Sequence, residues 1–302
     1  MSEPRCSAIS RDLGEDLHAT ASIVRSWVLV EQPGPWGAEA VTQSDLAAEV
    51  AGPLVRGASR HGVRVLLVRR PDRADRSEAA GRRCFVIHAV RGRTWVERRT
   101  LADPSELAAI DLARLAAGQR LGFGLPHEGA LYLVCTNGRH DPCCAQLGRP
   151  VVRALLDPGG EAVWECSHVG GDRFAGNVVA LPDGLYFGRL GPDDARRAVD
   201  AHRAGRIQLE HYRGRAGDPL VVQAADWHVR AATGLVGVGD LVPIGRHQVG
   251  PGLVDVRFAA ADGRRLEARV AVAPSPAPRP LTCVARNQGQ PPRYTCVWVR
   301  TA

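Results

Sequence analysis

The sequence repeats one order of predicted elements, and this repeat restricts the folds that the chain can adopt. Apolar periodicity and turn residues indicate a strand, a helix, three strands and a helix, and the same order then follows again. The first copy begins with a strand at SWVLVEQ and a helix between Ser44 and Gly62. Its remaining predicted elements are strands at 63–68, 84–90 and 94–98 and a helix at 105–115. The second copy has a strand at 131–135, a helix at 144–156, strands at 162–165, 177–181 and 185–189, and a helix at 192–203.

A strand, a helix, a parallel strand and a hairpin covered by a helix form the layout of a thioredoxin-like unit. We therefore predict an α/β protein with two tandem thioredoxin-like βαβββα units, in residues 1–124 and 125–206. A short helix at 11–20 precedes the first strand. The pattern changes from residue 207 onward, and we predict a small α+β domain over residues 207–302. Its predicted elements are a helix from Asp218-Pro219 to Gly234, a glycine-rich loop, and strands at 253–258, 266–272 and 294–299.

Composition points to a globular protein of the cytoplasm. With 45% hydrophobic residues in 302, the chain can bury substantial cores. Its longest apolar runs, such as VRVLLV and LYLVC, have the length of strands rather than of membrane-spanning helices. The first residues, MSEPRCSAIS, lack the apolar stretch of a signal peptide, so we expect a cytoplasmic protein that does not enter a membrane. In a reducing compartment, eight cysteines favour metal or redox sites over a disulfide framework.

The charge of the chain is basic but dispersed. All 39 basic residues are arginine, the formal net charge is +7, and 32 acidic residues lie between the arginines. Nucleic-acid binding requires clustered basic residues, so we expect no nucleic-acid partner. An acidic redox partner protein fits the same charge.

One stretch concentrates the residues that could carry chemistry. Between Cys135 and Asp172 lie four of the eight cysteines, and two segments, CTNGRHDPCC and HVGGD, each follow a predicted strand. The loop from Cys135 to Cys144 is long enough to curl around a metal or cluster and to return a second thiolate at a helix start. Because both strands belong to one predicted sheet, we expect the two segments to meet at one end of it.

Four segments resemble the sucrase/ferredoxin-like family in its actinobacterial form. They are CTNGRHDPCC, WECSHVGGDRFAGN, EQPGPWG and QAADWHVRAATG. The resemblance implies a thioredoxin-like ferredoxin fold and a 2Fe-2S cluster held by Cys135, Cys144 and His168. Family members with HxGGH use both histidines as ligands, and here Asp172 stands at the second position. The resemblance also implies an electron carrier or redox sensor rather than an enzyme. Sucrose hydrolysis is not expected, because no pair of carboxylates stands in a sugar-binding context.

The fourth ligand is open at this point. Asp172 is favoured by its position in the HVGGD motif. Cys166 and Cys143 are favoured because sulfur is a softer donor than carboxylate oxygen and suits iron–sulfur chemistry better. Two other chemistries remain as alternatives. The same donors suit a structural zinc ion, which would make the protein a zinc-stapled interaction module. The second alternative is a pair of redox-active thiols without a cluster. The strand-to-helix turn lacks the CxxC motif of thioredoxin chemistry, which argues against it.

We expect structural roles for the other residues of these types. The remaining cysteines are predicted to be bystanders or core thiols: Cys6, Cys84, Cys283 and Cys296. Arg139 and His140 are expected to be solvated. Trp36 is interpreted as a buried turn residue, with a docking edge near the cluster as the alternative. Arg173-Phe174 either shields the site or simply packs.

Overall fold

The computed structural model describes residues 4–71, 81–156 and 160–301. It has a mixed α/β fold with a ten-stranded mixed sheet and a four-stranded antiparallel sheet, which confirms the predicted class. Its helices are α1 (Cys6–Asp12), α2 (Ala48–His61), α3 (Leu112–Ala116), α4 (Pro142–Leu155), α5 (Pro192–Arg203) and α6 (Leu220–Thr233). Short 3₁₀ helices lie at Pro104–Ala109, Asp172–Phe174 and Leu209–His211.

The strands follow the predicted order with additions. The strands are β1 (Ser26–Glu31), β2 (Val63–Arg69), β3 (Arg82–His88), β4 (Trp95–Leu101), β5 (Leu125–Pro126), β6 (Leu131–Cys135), β7 (Val163–Cys166), β8 (Val178–Leu181), β9 (Leu185–Phe187), β10 (Tyr212–Arg215), β11 (Leu241–Gly250), β12 (Leu253–Ala260), β13 (Arg265–Pro274) and β14 (Pro292–Thr301). The large sheet has the order β10-β9-β8-β6-β7-β2-β1-β3-β4-β5, and the small sheet has the order β11-β12-β13-β14.

The two halves of the large sheet repeat one pairing pattern. In the first half, β1 pairs in parallel with β2 and antiparallel with β3, which pairs with β4. In the second half, β6 pairs in parallel with β7 and antiparallel with β8, which pairs with β9. The halves join edge to edge, because β2 pairs antiparallel with β7 through Val68–Cys166 and Arg69–Glu165. The end of β7, where the second site segment begins, is therefore held between the two halves.

Alternate strand residues build apolar clusters on opposite faces of the large sheet. One cluster packs residues of the first half against α2, and another packs residues of the second half against α4 and α5. A third cluster spans both halves and contains Trp27, Phe85 and Trp164, each at most 1% exposed. It also contains Cys135 and Cys166, so the ends of β6 and β7 lie in a dry environment.

Several predicted boundaries were wrong for local reasons. The N-terminal helix is at Cys6–Asp12 rather than at 11–20. The helix predicted at 105–115 is divided, because Ile110 is extended and Asp111 caps a new helix. Helix α4 begins at Pro142, two residues early, since Asp141 accepts a hydrogen bond from the Cys143 amide and proline suits the first helical position.

The C-terminal region also has more strand than predicted. The expected glycine-rich loop contains β11, whose irregular register accommodates its glycines. The strand β10 continues the large sheet beyond residue 206. Helix α6 packs against the small sheet through Val222, Ala225 and Val229 and ends at Gly234, whose φ of +74° is readily adopted only by glycine. No helix within the described ranges is long and apolar enough to cross a membrane.

Candidate metal centre

The first segment of the site is positioned by β6 and α4. Cys135 is the last residue of β6, and Cys144 lies in the first turn of α4, which Asp141 caps. Helix α4 passes very close to the strand end, because a Cβ at Gly148 would lie 2.2 Å from the Cys135 carbonyl oxygen. Glycine at 148 thus permits the approach that brings the two thiols together.

The second segment follows β7, the parallel neighbour of β6. Cys135 and Cys166 are register partners at the ends of these strands, so the next residues of β7 turn over the first segment. Gly170 and Gly171, with φ of +98° and +82°, carry the chain through a tight turn from His168 to Asp172. The segments therefore meet at one end of the sheet, as the sequence predicted.

The predicted ligands converge. The donor atoms of Cys135, Cys144 and His168 all lie within 4.8 Å of one another. Asp172 Oδ1 lies 3.1 Å from Cys144 Sγ and 2.9 Å from His168 Nδ1. Both thiols are about 1% exposed and Asp172 is 3% exposed, so a bound ion or cluster would be shielded from water on this side.

Hydrogen bonds and charges within the group favour the anionic forms of Cys135 and Asp172 and the protonated forms of Cys144 and His168. A hydrogen bond from the Cys144 thiol, with His168 adding to it, lowers the pKa of Cys135 to about 5. The pKa of Cys144 is raised because it donates to Cys135 and is buried. Burial alone would lower the pKa of His168, but Asp172 and Cys135 raise it to about 9. Burial opposes ionisation of Asp172, yet His168 holds the pKa of this carboxyl below its usual value.

One buried nitrogen fits a ligand role. His168 Nδ1 is only 2.9 Å from Asp172 Oδ1, but among the described residues it has no hydrogen-bond partner of acceptable geometry. A buried nitrogen without such a partner is costly unless something else satisfies it. A metal bound at His168 Nδ1 would satisfy this nitrogen.

The alternative fourth ligands lie elsewhere. Cys166 Sγ is fully buried in the apolar cluster of the large sheet and is not among the donor atoms that converge with Cys135. Its predicted alternation with His168 fails, since β7 ends at Cys166. Cys143 belongs to a separate group with Cys6, Asp141 and Cys283. Asp172, in contrast, has Oδ1 within 3.1 Å of Cys144 Sγ and 2.9 Å of His168 Nδ1.

Comparison with known proteins places the chain in a family. The family model described as sucrase/ferredoxin-like matches residues 17–214. The chain belongs to the sucrase/ferredoxin-like family. It is also 31% identical over 96 residues to "Altered inheritance of mitochondria protein 32" of Meyerozyma guilliermondii, a match that covers 28% of this chain and 34% of that protein. The chain thus matches about a third of the length of that curated relative. No solved structure matches significantly.

In this sucrase/ferredoxin-like protein, His140 adds to the site. Its ring stacks on His168 with centroids 3.8 Å apart, and its Nε2 lies 3.8 Å from Asp172 Oδ2. His140 was expected to be solvated rather than catalytic; its side chain is 25% exposed, and it also contacts the site residues. The signal in the sequence was its position in the loop between Cys135 and Cys144.

The EQPGPWG segment of the first half lies beside the same loop. Trp36 is 6% exposed, donates from Nε1 to the Gln32 carbonyl at 2.9 Å, and lies under the Arg69 guanidinium. Nearby, the side-chain amide of Asn137 donates from Nδ2 to the Gly37 carbonyl at 3.0 Å, and His140 Nδ1 is 3.2 Å from the Ala38 carbonyl oxygen. The segment therefore contains a buried tryptophan and also supports the site loop.

Buried arginine supports the turn between His168 and Asp172. Arg213 is 1% exposed and donates to the Gly170 carbonyl at 3.0 Å and to Asn177 Oδ1 at 2.9 Å. Asn177 in turn donates to the Gly171 carbonyl at 2.9 Å. Phe174 is fully buried, and its ring contacts the guanidinium groups of Arg173 and Arg213. Phe174 therefore packs against the arginine that supports the turn. The role of Arg213 was not predicted, because no residue near it in the sequence indicates a contact with the turn.

Proposed function

We propose that the protein binds a 2Fe-2S cluster through Cys135, Cys144, His168 and Asp172, and that it acts as an electron carrier or redox sensor. The observation that carries this proposal is the convergence of two thiols, an imidazole and a carboxylate at the ends of two adjacent parallel strands. Membership of the sucrase/ferredoxin-like family supports it. So does the pairing in each half of the large sheet, which matches a thioredoxin-like unit.

The residues of the site suit one-electron chemistry. A 2Fe-2S cluster, when bound, exchanges a single electron. The buried thiols would hold it in a dry pocket, while His168, with 26% of its side chain exposed, would lie toward the solvent. Arg213 would supply a fixed positive charge behind the turn. Neutral nitrogen in place of thiolate raises a cluster's potential, so we expect a potential above that of an all-cysteine plant-type ferredoxin.

A basic groove beside the site loop supports an acidic redox partner. The groove has a volume of about 720 Å³ and lies along residues 136–142. Five arginines line it: Arg5, Arg69, Arg139, Arg149 and Arg153. Such a surface would steer an acidic protein toward the loop that carries the first ligands.

A single zinc ion is the second candidate for the same residues. It is favoured by the compactness of the donor set, since all three donor atoms of Cys135, Cys144 and His168 lie within 4.8 Å of one another. Two thiolates, an imidazole and a carboxylate satisfy tetrahedral zinc. The two candidates differ in colour and in metal content.

The test is metal and sulfide analysis of the full chain, purified without oxygen. We expect two iron atoms and two sulfides per chain, visible colour, and an electron paramagnetic resonance signal after reduction. Cys135→Ala and Cys144→Ala should abolish the iron. Cys84→Ala is the matched control, because Cys84 is a fully buried thiol outside both groups of donors. Colourless wild-type protein that carries zinc at Cys135 would refute the cluster.

Two further variants test the unusual ligands. His168→Cys should lower the midpoint potential, because an anionic sulfur disfavours the reduced state relative to a neutral nitrogen. Asp172→Ala should reduce the iron content, whereas Cys166→Ala should leave it unchanged. An unchanged potential in His168→Cys would exclude His168 as a ligand. Loss of iron only in Cys166→Ala would assign the fourth position to Cys166.

A further inference from the structure

A second group of sulfurs lies next to the candidate metal centre, because it includes Cys143, the residue before Cys144. Cys6 comes from α1, Cys143 from the first turn of α4, and Cys283 from the segment between β13 and β14. Their Sγ atoms are 3.7 Å apart for Cys6 and Cys143, 3.4 Å for Cys143 and Cys283, and 3.5 Å for Cys283 and Cys6. Cys6 was expected to be a bystander and Cys283 a core thiol, because no spacing in the sequence links these positions.

A buried carboxylate completes the group. Asp141 is fully buried, and its Oδ2 lies 3.6 Å from Cys6 Sγ. The same oxygen accepts from the Cys283 amide at 2.6 Å, while Oδ1 accepts from the Cys143 amide at 2.8 Å. All four donor atoms lie within 4.8 Å of one another. The carboxylate is thus fixed in orientation before anything binds.

The sulfurs also accept hydrogen bonds, as metal-bound thiolates commonly do. Ser7 Oγ donates to Cys143 Sγ at 3.2 Å, and the Cys6 amide donates to Cys283 Sγ at 3.4 Å. Leu147 and Ala175 pack around the group and keep it apolar. Cys6 and Cys143 are each 1% exposed, and Cys283 is half-buried.

The distances between the sulfurs fit a single metal ion and do not fit a disulfide. A disulfide requires an S–S distance of about 2.05 Å, and it would leave the third thiol unused. Tetrahedral zinc, with Zn–S bonds of about 2.3 Å, places neighbouring sulfurs about 3.8 Å apart. The observed 3.4–3.7 Å is close to that value for all three pairs. In a 2Fe-2S cluster, ligands bound to different iron atoms are farther apart than ligands on one metal ion. Three sulfurs that are all adjacent to one another therefore do not fit such a cluster.

We propose that Cys6, Cys143, Cys283 and Asp141 bind one zinc ion in a structural site separate from the candidate metal centre. The ion would join α1, α4 and the β13–β14 connection, whose cysteines are separated by up to 277 positions in the chain. Cys6 and Cys283 lie outside the family match at 17–214, so this site draws on segments beyond the family region. Because Cys143 precedes Cys144, the two sites would lie side by side at the start of α4.

The experiment is metal analysis of the full chain and of two matched variants. We expect one zinc per chain in addition to any iron. Cys283→Ala should lose this zinc, and Cys296→Ala should keep it, because Cys296 is a partly buried C-terminal thiol outside the group. Cys283→Ala should keep the iron content of the wild type, whereas Cys135→Ala should lose iron and keep the zinc. The zinc proposal and the cluster proposal can therefore be refuted independently of each other.

Cobalt(II) provides a second readout, and it is taken in Cys135→Ala so that the candidate metal centre does not contribute. This variant, stripped of metal and kept reduced, should bind one cobalt ion with the intense visible bands of a tetrahedral site and thiolate charge-transfer absorption. Adding Cys283→Ala to it should remove the charge-transfer intensity. The proposal is overturned if wild-type protein takes up neither zinc nor thiolate-bound cobalt. It is also overturned if zinc is lost from Cys135→Ala but not from Cys283→Ala.

Discussion

Replacing Gly148 by alanine tests whether the contact between α4 and β6 positions the metal centre. The added Cβ would lie 2.2 Å from the Cys135 carbonyl oxygen and 3.2 Å from its carbon, whereas real Cβ atoms almost never approach within 3.0 Å. The obstacle is backbone and cannot rotate away. The helix must therefore move from the strand end by most of an ångström, and Cys144, one turn earlier on α4, must move with it.

Two opposing terms set the size of the effect. Alanine is better than glycine inside a helix by about 1 kcal/mol. Overpacking against an immobile neighbour costs about 1–3 kcal/mol, and a backbone obstacle places Gly148→Ala in the upper part of that range. We expect a net loss of about 1–2 kcal/mol in the free energy of unfolding. Metal sites tolerate ligand displacements of only about 0.2 Å, so metal content should fall as well.

Gly57→Ala is the matched control, since Gly57 also lies inside a helix. There the new Cβ would meet only the flexible Leu112 side chain, at 2.8 Å, so we expect a free energy of unfolding within about 1 kcal/mol of the wild type. The assay is urea denaturation followed by circular dichroism, together with iron and zinc per chain. If Gly148→Ala were as stable as Gly57→Ala and kept its metal, the contact would not position Cys144.

Two other predictions concern regions away from the metal centre. Arg230→Met should lower the free energy of unfolding by about 3 kcal/mol, because it removes the ion-pair partner at 2.8 Å from the buried Asp226 carboxylate. Among the described residues, the next ion-pair contact of Asp226 is with Arg91 at 3.9 Å. Arg197→Met, which breaks the exposed pair with Asp194, should cost less than about 0.5 kcal/mol, and equal losses in urea titrations would contradict this reasoning. Burial, and secondly the charge of His18, lowers the pKa of His228 from 6.5 to about 4. Between these two pH values the unfolded chain therefore binds a proton at His228 that the folded chain does not bind. Stability should therefore fall as pH drops from 6.5 towards 4, and His228→Gln should reduce that slope; an identical slope in the variant would show that His228 does not contribute.

Short-range patterns in the sequence were sufficient for most of the elements and for bringing the residues of the candidate metal centre together. The strand at SWVLVEQ and the helix stops at Gly62 and Gly234 follow from residue preferences over a few positions. Cys135 and Cys144, and then His168 and Asp172, each directly follow a strand of one sheet, so their convergence could be anticipated. The early start of α4 was also predictable, because Asp141-Pro142 is a cap followed by a proline at the first helical position.

Contacts between distant segments were decided only by the tertiary structure. The edge pairing of β2 with β7 and the placement of β10 in the large sheet depend on which apolar faces are buried together. The stacking of His140 on His168 depends on how the site loop closes over the turn after β7. Cys6, Cys143 and Cys283 come from the two ends and the middle of the chain. Their meeting results from packing α1 and the β13–β14 connection onto α4, and no periodicity or spacing along the sequence encodes such packing.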